Sequence, residues 1–468
     1  MNKRMCVALS AAMLAACGSL TPRYERPAAP VAAAFADAAS AAAGVTPPAD
    51  AIEWQSYFGD ERLKRLITLA LANNRDLRVA VLAIEQARAQ FDIRRADVWP
   101  TVSVGASGSR QPNTNRSVGG TTSLYSAGFA VTSYELDLFG RVRSLSQAAL
   151  AQLLATEEAR KTVQIGLIAA VANTYLGLLA DDELLAVTGQ TLATREESMK
   201  LTQLKFDNGA SSELELRLAE SLLEGARVAL AQLTRQRALD ENALVLLLGQ
   251  PLPSDLPAGL SVTSPLLMPD LPAGVPSEVL ARRPDVRAAE QQLIAANANI
   301  GAARAAFFPR ITLTGSVGTA SSELSGLFKS GSFAWTFAPQ ALLTVFDAGR
   351  SRANLEVAKV NRDIAVAQYE RAIQTAFREV SDSLAGRATL GEQVRAQLAQ
   401  ARAEETRLRL ADLRYRNGAA SVLDVLDAQR SLFAAQQAAV QVQALQVQNL
   451  VTLYKVLGGG WKDAGASR

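Results

Sequence analysis

Tyr415 to Leu432 reads YRNGAASVLDVLDAQRSL, a turn followed by a helix start carrying Asp424 and Asp427 three residues apart. Its Asn417-Gly418-Ala419 triplet has an earlier copy, Asn208-Gly209-Ala210, placed 209 residues upstream between two other long helical patterns. The same offset pairs Ser212 with Ser421, Leu214 with Leu423, Asp76 with Asp285, Pro100 with Pro309, Gly140-Arg141 with Gly349-Arg350 and Gly249 with Gly458. Pro, Asn-Gly and Gly-Arg punctuate secondary structure, so their common spacing predicts two halves of one architecture.

Working outward, each half predicts helix, strand, strand, long helix, turn and return helix. In the first, a helical pattern runs from about Arg62 to Val98 and stops at Trp99-Pro100. Thr101 to Ser109 alternates Val102, Val104 and Ala106 against Thr101, Ser103 and Gly105, the period of a strand with one apolar face. A second strand runs from Ser123 to about Leu138, and Gly140-Arg141 opens a helix to about Phe206. In that helix Ile168, Val171, Tyr175, Leu178 and Leu185 step by threes and fours, which predicts a helical neighbour. About 65 residues at 1.5 Å each extend roughly 100 Å, more than a compact globule needs. The return helix spans about Ser212 to Leu248.

Seven prolines between Pro251 and Pro276 rule out helix there, so this stretch is the crossover. The second half then repeats with strands Ile311 to Gly318 and Ser332 to Phe346, a long helix from Gly349 to Tyr415, and a helix from Ser421 to Leu457. The expected organisation is a removable segment 1–16, a Pro- and Ala-rich leader 17–60 lying along the body, repeat one at 61–250, crossover 251–276, repeat two at 277–458 and a tail 459–468.

Composition narrows function. Net charge is +3, or +1 once Lys3 and Arg4 leave with the first segment, and acid and base are interspersed, so nucleic acid is an unsuitable partner. There is no histidine, which removes the commonest general base and metal ligand; neither enzyme, cofactor nor metal is expected. The two cysteines, Cys6 and Cys17, make no disulfide framework. Lys3 and Arg4, the apolar run Val7 to Ala16 and Leu14-Ala15-Ala16-Cys17 resemble a bacterial lipoprotein signal cut before an acylated Cys17. Acyl chains at about 0.8 kcal/mol per buried CH₂ anchor such a protein stably. An ordinary secretory signal is the plainer alternative.

Strands of about ten residues, apolar on one face with aromatics near the ends, are those of an outer-membrane barrel, and also of a half-buried soluble sheet. Four strands cannot close, and an open edge in lipid leaves backbone groups unpaired, so the barrel reading requires oligomerisation. Two chains give about eight strands and a filled interior, three give about twelve and a lumen. No unbroken run of 18 apolar residues follows the leader, since Asn173 and Thr174 interrupt Gly166 to Ala180; a transmembrane helix is not expected.

These features together resemble the outer-membrane factor family, the TolC-, OprM- and NodT-like channels of Gram-negative export systems. The resemblance covers essentially the whole mature chain and rests on the lipoprotein signal, ARRPDVRAAE (Ala281 to Glu290), FFPRITLTGS (Phe307 to Ser316), VFDAGRSRANL (Val345 to Leu355), LLLGQP (Leu246 to Pro251) and YRNG with VLDVLDAQRSLF (Tyr415 to Phe433). It implies an α+β membrane protein, a homotrimeric 12-stranded β-barrel with four strands per chain continued by a long α-helical barrel. It implies a non-enzymatic lipoprotein that passes drugs outward from an inner-membrane pump, of the RND type above others, through a periplasmic adaptor. A protein-secretion or metal-efflux channel of the same fold is the nearest rival, and a lipid-anchored coiled-coil scaffold without a pore the more distant one.

The turns at Asn208-Gly209 and Asn417-Gly418 are where each long helix reverses, so they are expected at the periplasmic tip. By motif match Leu423, Asp424, Asp427 and Arg430 fall on the constriction of such channels, and Tyr415 on a latch tyrosine whose arginine partner is replaced here by Ala420. Small residues around Gly209 and Gly418 suit contact with an adaptor hairpin, and equally suit plain turn geometry. For the aspartates the plain alternative is a carboxylate pair favoured by the helix dipole, with Asp427 bonded to Arg430.

Overall fold

A computed structural model of the protein describes residues 19–32, 35, 52–112, 120–261, 264, 267–269 and 277–461. The signal segment with Cys17, part of the crossover and the end of the tail lie outside these residues. The elements are α1 (Trp54–Tyr57), α2 (Glu61–Asn73), α3 (Arg75–Ala96), β1 (Val102–Pro112), β2 (Thr121–Leu136), α4 (Arg141–Asp207), α5 (Glu213–Leu248), α6 (Pro284–Ala305), β3 (Arg310–Ser321), β4 (Phe333–Leu342), α7 (Arg350–Arg416) and α8 (Val422–Val456). Short 3₁₀ turns precede α6 and β4.

The sequence reading merged α2 and α3. They separate at Asn74, whose backbone is extended (ψ 132°) and whose Oδ1 accepts the Leu77 N–H at 2.9 Å, ending one helix and capping the next. The strand expected to reach Phe346 ends at Leu342, and β1 continues three residues past Ser109. By length and composition α4 also holds a stretch apolar enough to cross a membrane, and 61% of that stretch is buried within the chain, as in a packed core helix.

The chain divides into two compact units. The first contains residues 82–157 and 287–371 with the leader to Ala29, and its centre is an antiparallel sheet in the order β1-β2-β3-β4. Directly paired residues share a face. One row across the sheet is Val104, Phe129, Val317 and Trp335, and these side chains are 73%, 56%, 47% and 69% exposed. The neighbouring row on the other face is Ser103, Ala130, Ser316 and Thr336. Gly128 lies opposite Gly318, and a Cβ on either would come within 2.3 Å of the partner backbone, so this crossing admits no side chain. The ladder slips between Val131 and Tyr134, where Ser133 adopts φ 57°. Beside the sheet, Ala148 and Ala151 of α4 meet Ala295 and Ala298 of α6, small residues that let two helices pack closely.

The second unit comprises residues 30–81, 158–286 and 372–468. Tyr57 stacks on Tyr454 with centroids 4.0 Å apart, over fully buried Phe58, Leu63, Leu66 and Ile67. The buried Asp60 carboxylate accepts from the Arg62 and Leu63 N–H groups, from Tyr175 Oη at 2.9 Å and from the Leu260 N–H at 2.9 Å. Helix α5 packs on α2 and α8. One stitch occurs twice in this unit: Asn74 Nδ2 donates to the Leu247 carbonyl at 2.9 Å, and Arg283 Nη1 donates to the Val456 carbonyl at 2.8 Å, each pair 209 residues from its counterpart.

Candidate functional site

The two turns are built alike. Asn208 Nδ2 donates to the Leu204 carbonyl and Asn417 Nδ2 to the Leu413 carbonyl, both at 2.7 Å. Gly209 and Gly418 adopt φ 71° and 70°, a left-handed conformation that costs glycine nothing. The N–H groups of Ala210 and Ala419 then reach back to the carbonyls of Lys205 and Arg414 at 2.7 and 2.8 Å, satisfying the frayed end of each long helix.

The helices that follow start on capping boxes. Ser212 N–H donates to Glu215 at 3.1 Å, and Ser421 N–H donates to Asp424 at 3.2 Å. Asp424 therefore stands where Glu215 stands 209 residues earlier, and its carboxylate has a structural task before any other. Its side chain is exposed and forms no ion pair among the described residues.

Asp427, one turn on, is held differently. It accepts from Arg430 Nη2 at 2.6 Å and from Arg407 Nη2 across the hairpin. The hydrogen bond from Arg407, with the charge of Arg430 behind it, holds the Asp427 carboxyl below the usual carboxylate range. Arg407 also reaches Glu404 at 3.1 Å and Ser431 Oγ at 3.2 Å. Leu423 is half-buried, while Val425, Leu426 and Ala428 supply the buried face of α8. Arg430 extends from it, its side chain 69% exposed.

Tyr415 is bonded to a residue that sequence reasoning did not select. Lys205 Nζ lies 2.5 Å from Tyr415 Oη and 4.6 Å from its ring centroid, tying α4 to α7. Ala420, at the expected arginine position, carries only a methyl group and offers Tyr415 no hydrogen bond. Both overlooked cations left a trace: Lys205 precedes Phe206, which stands 209 residues before Tyr415, and Arg407 and Asp427 each lie ten residues from Asn417. In an antiparallel helical hairpin, residues equidistant from the turn face each other.

Further along, α4, α7 and α8 line an open groove of about 890 Å³ with Arg195, Ser198, Leu201, Arg409, Gln429 and Phe433 among its residues. Arg195 is 5% exposed, donates to the Leu222 carbonyl at 2.7 Å and lies 4.9 Å from the Phe433 ring centroid; burial lowers its pKa.

Residues 66–250 and 275–459 each match the family described as outer membrane efflux protein. The chain is 47% identical over 463 residues to the probable efflux pump outer membrane protein TtgC of Pseudomonas putida, covering 98% of this chain and 95% of that one. It is 46% identical to the outer membrane protein OprJ of Pseudomonas aeruginosa, with 98% and 96% covered. The open-state outer membrane channel MtrE of Neisseria gonorrhoeae superposes with a TM-score of 0.86 at 43% identity, over 95% of this chain and 99% of that one. With turns, sheet and long helices in the order such a channel needs, the chain belongs to the outer membrane efflux protein family.

Proposed function

We propose that this chain is the outer-membrane channel of a tripartite efflux system, passing drugs or other small molecules outward from an RND-type inner-membrane pump by way of a periplasmic adaptor. The observation that carries the reading is the sheet. Its exposed apolar row of Val104, Phe129, Val317 and Trp335 backs onto a row of Ser, Ala and Thr, and β1 and β4 each leave an edge unpaired within the chain. Such a face seeks lipid, and such edges seek neighbours.

A homotrimer answers both demands, since three four-stranded sheets make a closed barrel of about twelve strands with a lumen. Two structural repeats, 61–250 and 277–458 joined by the crossover 251–276, then give the trimer a quasi-sixfold helical tunnel. Cys17 anchors the leader to the outer membrane through acyl chains. The helical tip forms the periplasmic entrance, with Leu423, Asp424, Asp427 and Arg430 at the constriction and Tyr415 as a latch to Lys205. Asn208, Gly209, Asn417 and Gly418 meet the adaptor. The name TtgC belongs to a probable efflux pump outer membrane protein and OprJ to an outer membrane protein, and both names support the outer-membrane assignment.

The test is deletion of the gene followed by uptake of a fluorescent amphiphilic dye, with photo-cross-linking from position 418. Raised dye accumulation, reversed by the wild-type gene, and a cross-linked periplasmic adaptor are expected. Unchanged accumulation together with no adaptor adduct would overturn the proposal.

A further inference from the structure

Glu404, Arg407, Asp427 and Arg430 form one connected cluster, with Arg407 bonded to both carboxylates and Arg430 2.6 Å from Asp427. Two acids and two bases sum to zero. Asp424, three residues from Asp427, makes no ion pair among the described residues and keeps an exposed carboxylate whose partner is a neutral backbone N–H. Among the other tip cations, Arg416 pairs with Asp412 at 2.9 Å, Arg414 donates to the Ala419 carbonyl at 3.2 Å, and Lys205 is on Tyr415. Two aspartates that look equivalent in sequence are therefore unequal: one is neutralised, the other is not.

We propose that Arg407 is a specificity-determining residue of the tip: by reaching across the hairpin to Asp427 it cancels that aspartate, leaving Asp424 as the carboxylate that attracts cations. The inference rests on the reading of the tip as the pore entrance. It assigns to α7 a part in ion preference, although Asp424 and Asp427 themselves are on α8. Ser431 Oγ at 3.2 Å and Glu404 at 3.1 Å orient the guanidinium, so the neutralising contact is built from both arms of the hairpin.

The experiment is the potassium-to-chloride permeability ratio of the full-length protein in planar bilayers, from the reversal potential across a KCl gradient. Arg407→Gln exposes Asp427 to a single arginine and raises the ratio, by about fivefold at most, the factor that a unit charge at about 4 Å in water confers. Arg407→Lys keeps the charge and the wild-type ratio. The double variant Arg407→Gln/Asp427→Asn removes one charge of each sign and returns the ratio to wild type. Asp424→Gln, which retains a capping-box acceptor, lowers it.

An unchanged ratio in Arg407→Gln overturns the proposal. Its failure is separable from that of the pore-entrance reading through Asp424→Cys treated with a sulfonate thiol reagent. Block of conductance with no effect of Arg407→Gln sinks the proposal alone. No block, with no effect of any tip variant, sinks both.

Discussion

Asp181 on α4 faces Asp240 on α5, is 6% exposed and has one carboxylate oxygen without a protein partner. Burial first, then the hydrogen bond and charge of Asp240, push its pKa up from 3.8 to about 7, with Asp182 adding to the effect and Arg237 opposing it. A carboxyl whose folded pKa is raised is favoured in its protonated form by the fold. Its stabilising share is complete below the unfolded pKa and is lost as pH rises from about 4 to about 7. Thermal unfolding followed by circular dichroism should give a melting temperature that falls across that window, and Asp181→Asn should flatten the fall and melt higher at pH 8.

The duplicated stitch separates two residue types performing one task. Asn74 is neutral, so Asn74→Ala forfeits its bond to Leu247 and a helix cap, about 1–2 kcal/mol. Arg283 is 9% exposed at its side chain and serves Asp285 at 2.6 Å and Glu379 at 2.8 Å as well as the Val456 carbonyl. Arg283→Met strands two partly buried carboxylates and should cost more, about 3 kcal/mol. Chemical unfolding of the two variants side by side checks the order; an equal or smaller loss for Arg283→Met would show that the carboxylates rehydrate freely.

At the scale of elements, the leader binds α6 with helical regularity. Leu20, Pro22 and the Tyr24–Arg26 pair meet Arg304, Asn297 and Glu290, positions seven residues apart on one helix face. Glu290 accepts from Tyr24 at 3.0 Å and from Arg26 at 2.7 and 2.8 Å. Gly301 lets the strand of leader lie close, since a Cβ there would sit 2.2 Å from Thr21 Oγ1. Gly301→Val should release residues 19–27, seen as faster proteolysis and hydrogen exchange of the leader while α6 keeps its protection. Unchanged leader protection would mean that the Glu290 contacts hold without Gly301.

Elements were legible where a single residue type enforces them. Pro100 and Pro309 stop helices, Gly209 and Gly418 take left-handed turns, and alternation in β1 to β4 marks one apolar face. The split at Asn74 was hidden because asparagine is tolerated inside helices, and the Asn74 side chain has to find the Leu247 carbonyl 173 residues away before the break is favoured. At the tip, the motif pointed to Asp424 and Asp427 but not to Arg407 or Lys205, whose roles come from the facing arm of a hairpin and from a neighbouring helix. Local spacing cannot state which long side chain, among many arginines and lysines on a polar helix, crosses to the other side.

For the whole molecule, a four-stranded sheet with an exposed Val, Phe and Trp face is an incomplete object, and so are two helices of 67 residues that leave Leu201, Leu204, Val360 and Ile364 exposed in this chain. The proposed trimer completes both. The most direct measurement is the protein mass of the detergent-solubilised, full-length chain by light scattering corrected for bound detergent, repeated after boiling. Three chain masses, falling to one on boiling, is the predicted result. A monomer or dimer before boiling, at concentrations where the protein conducts in bilayers, would contradict the closed twelve-stranded channel.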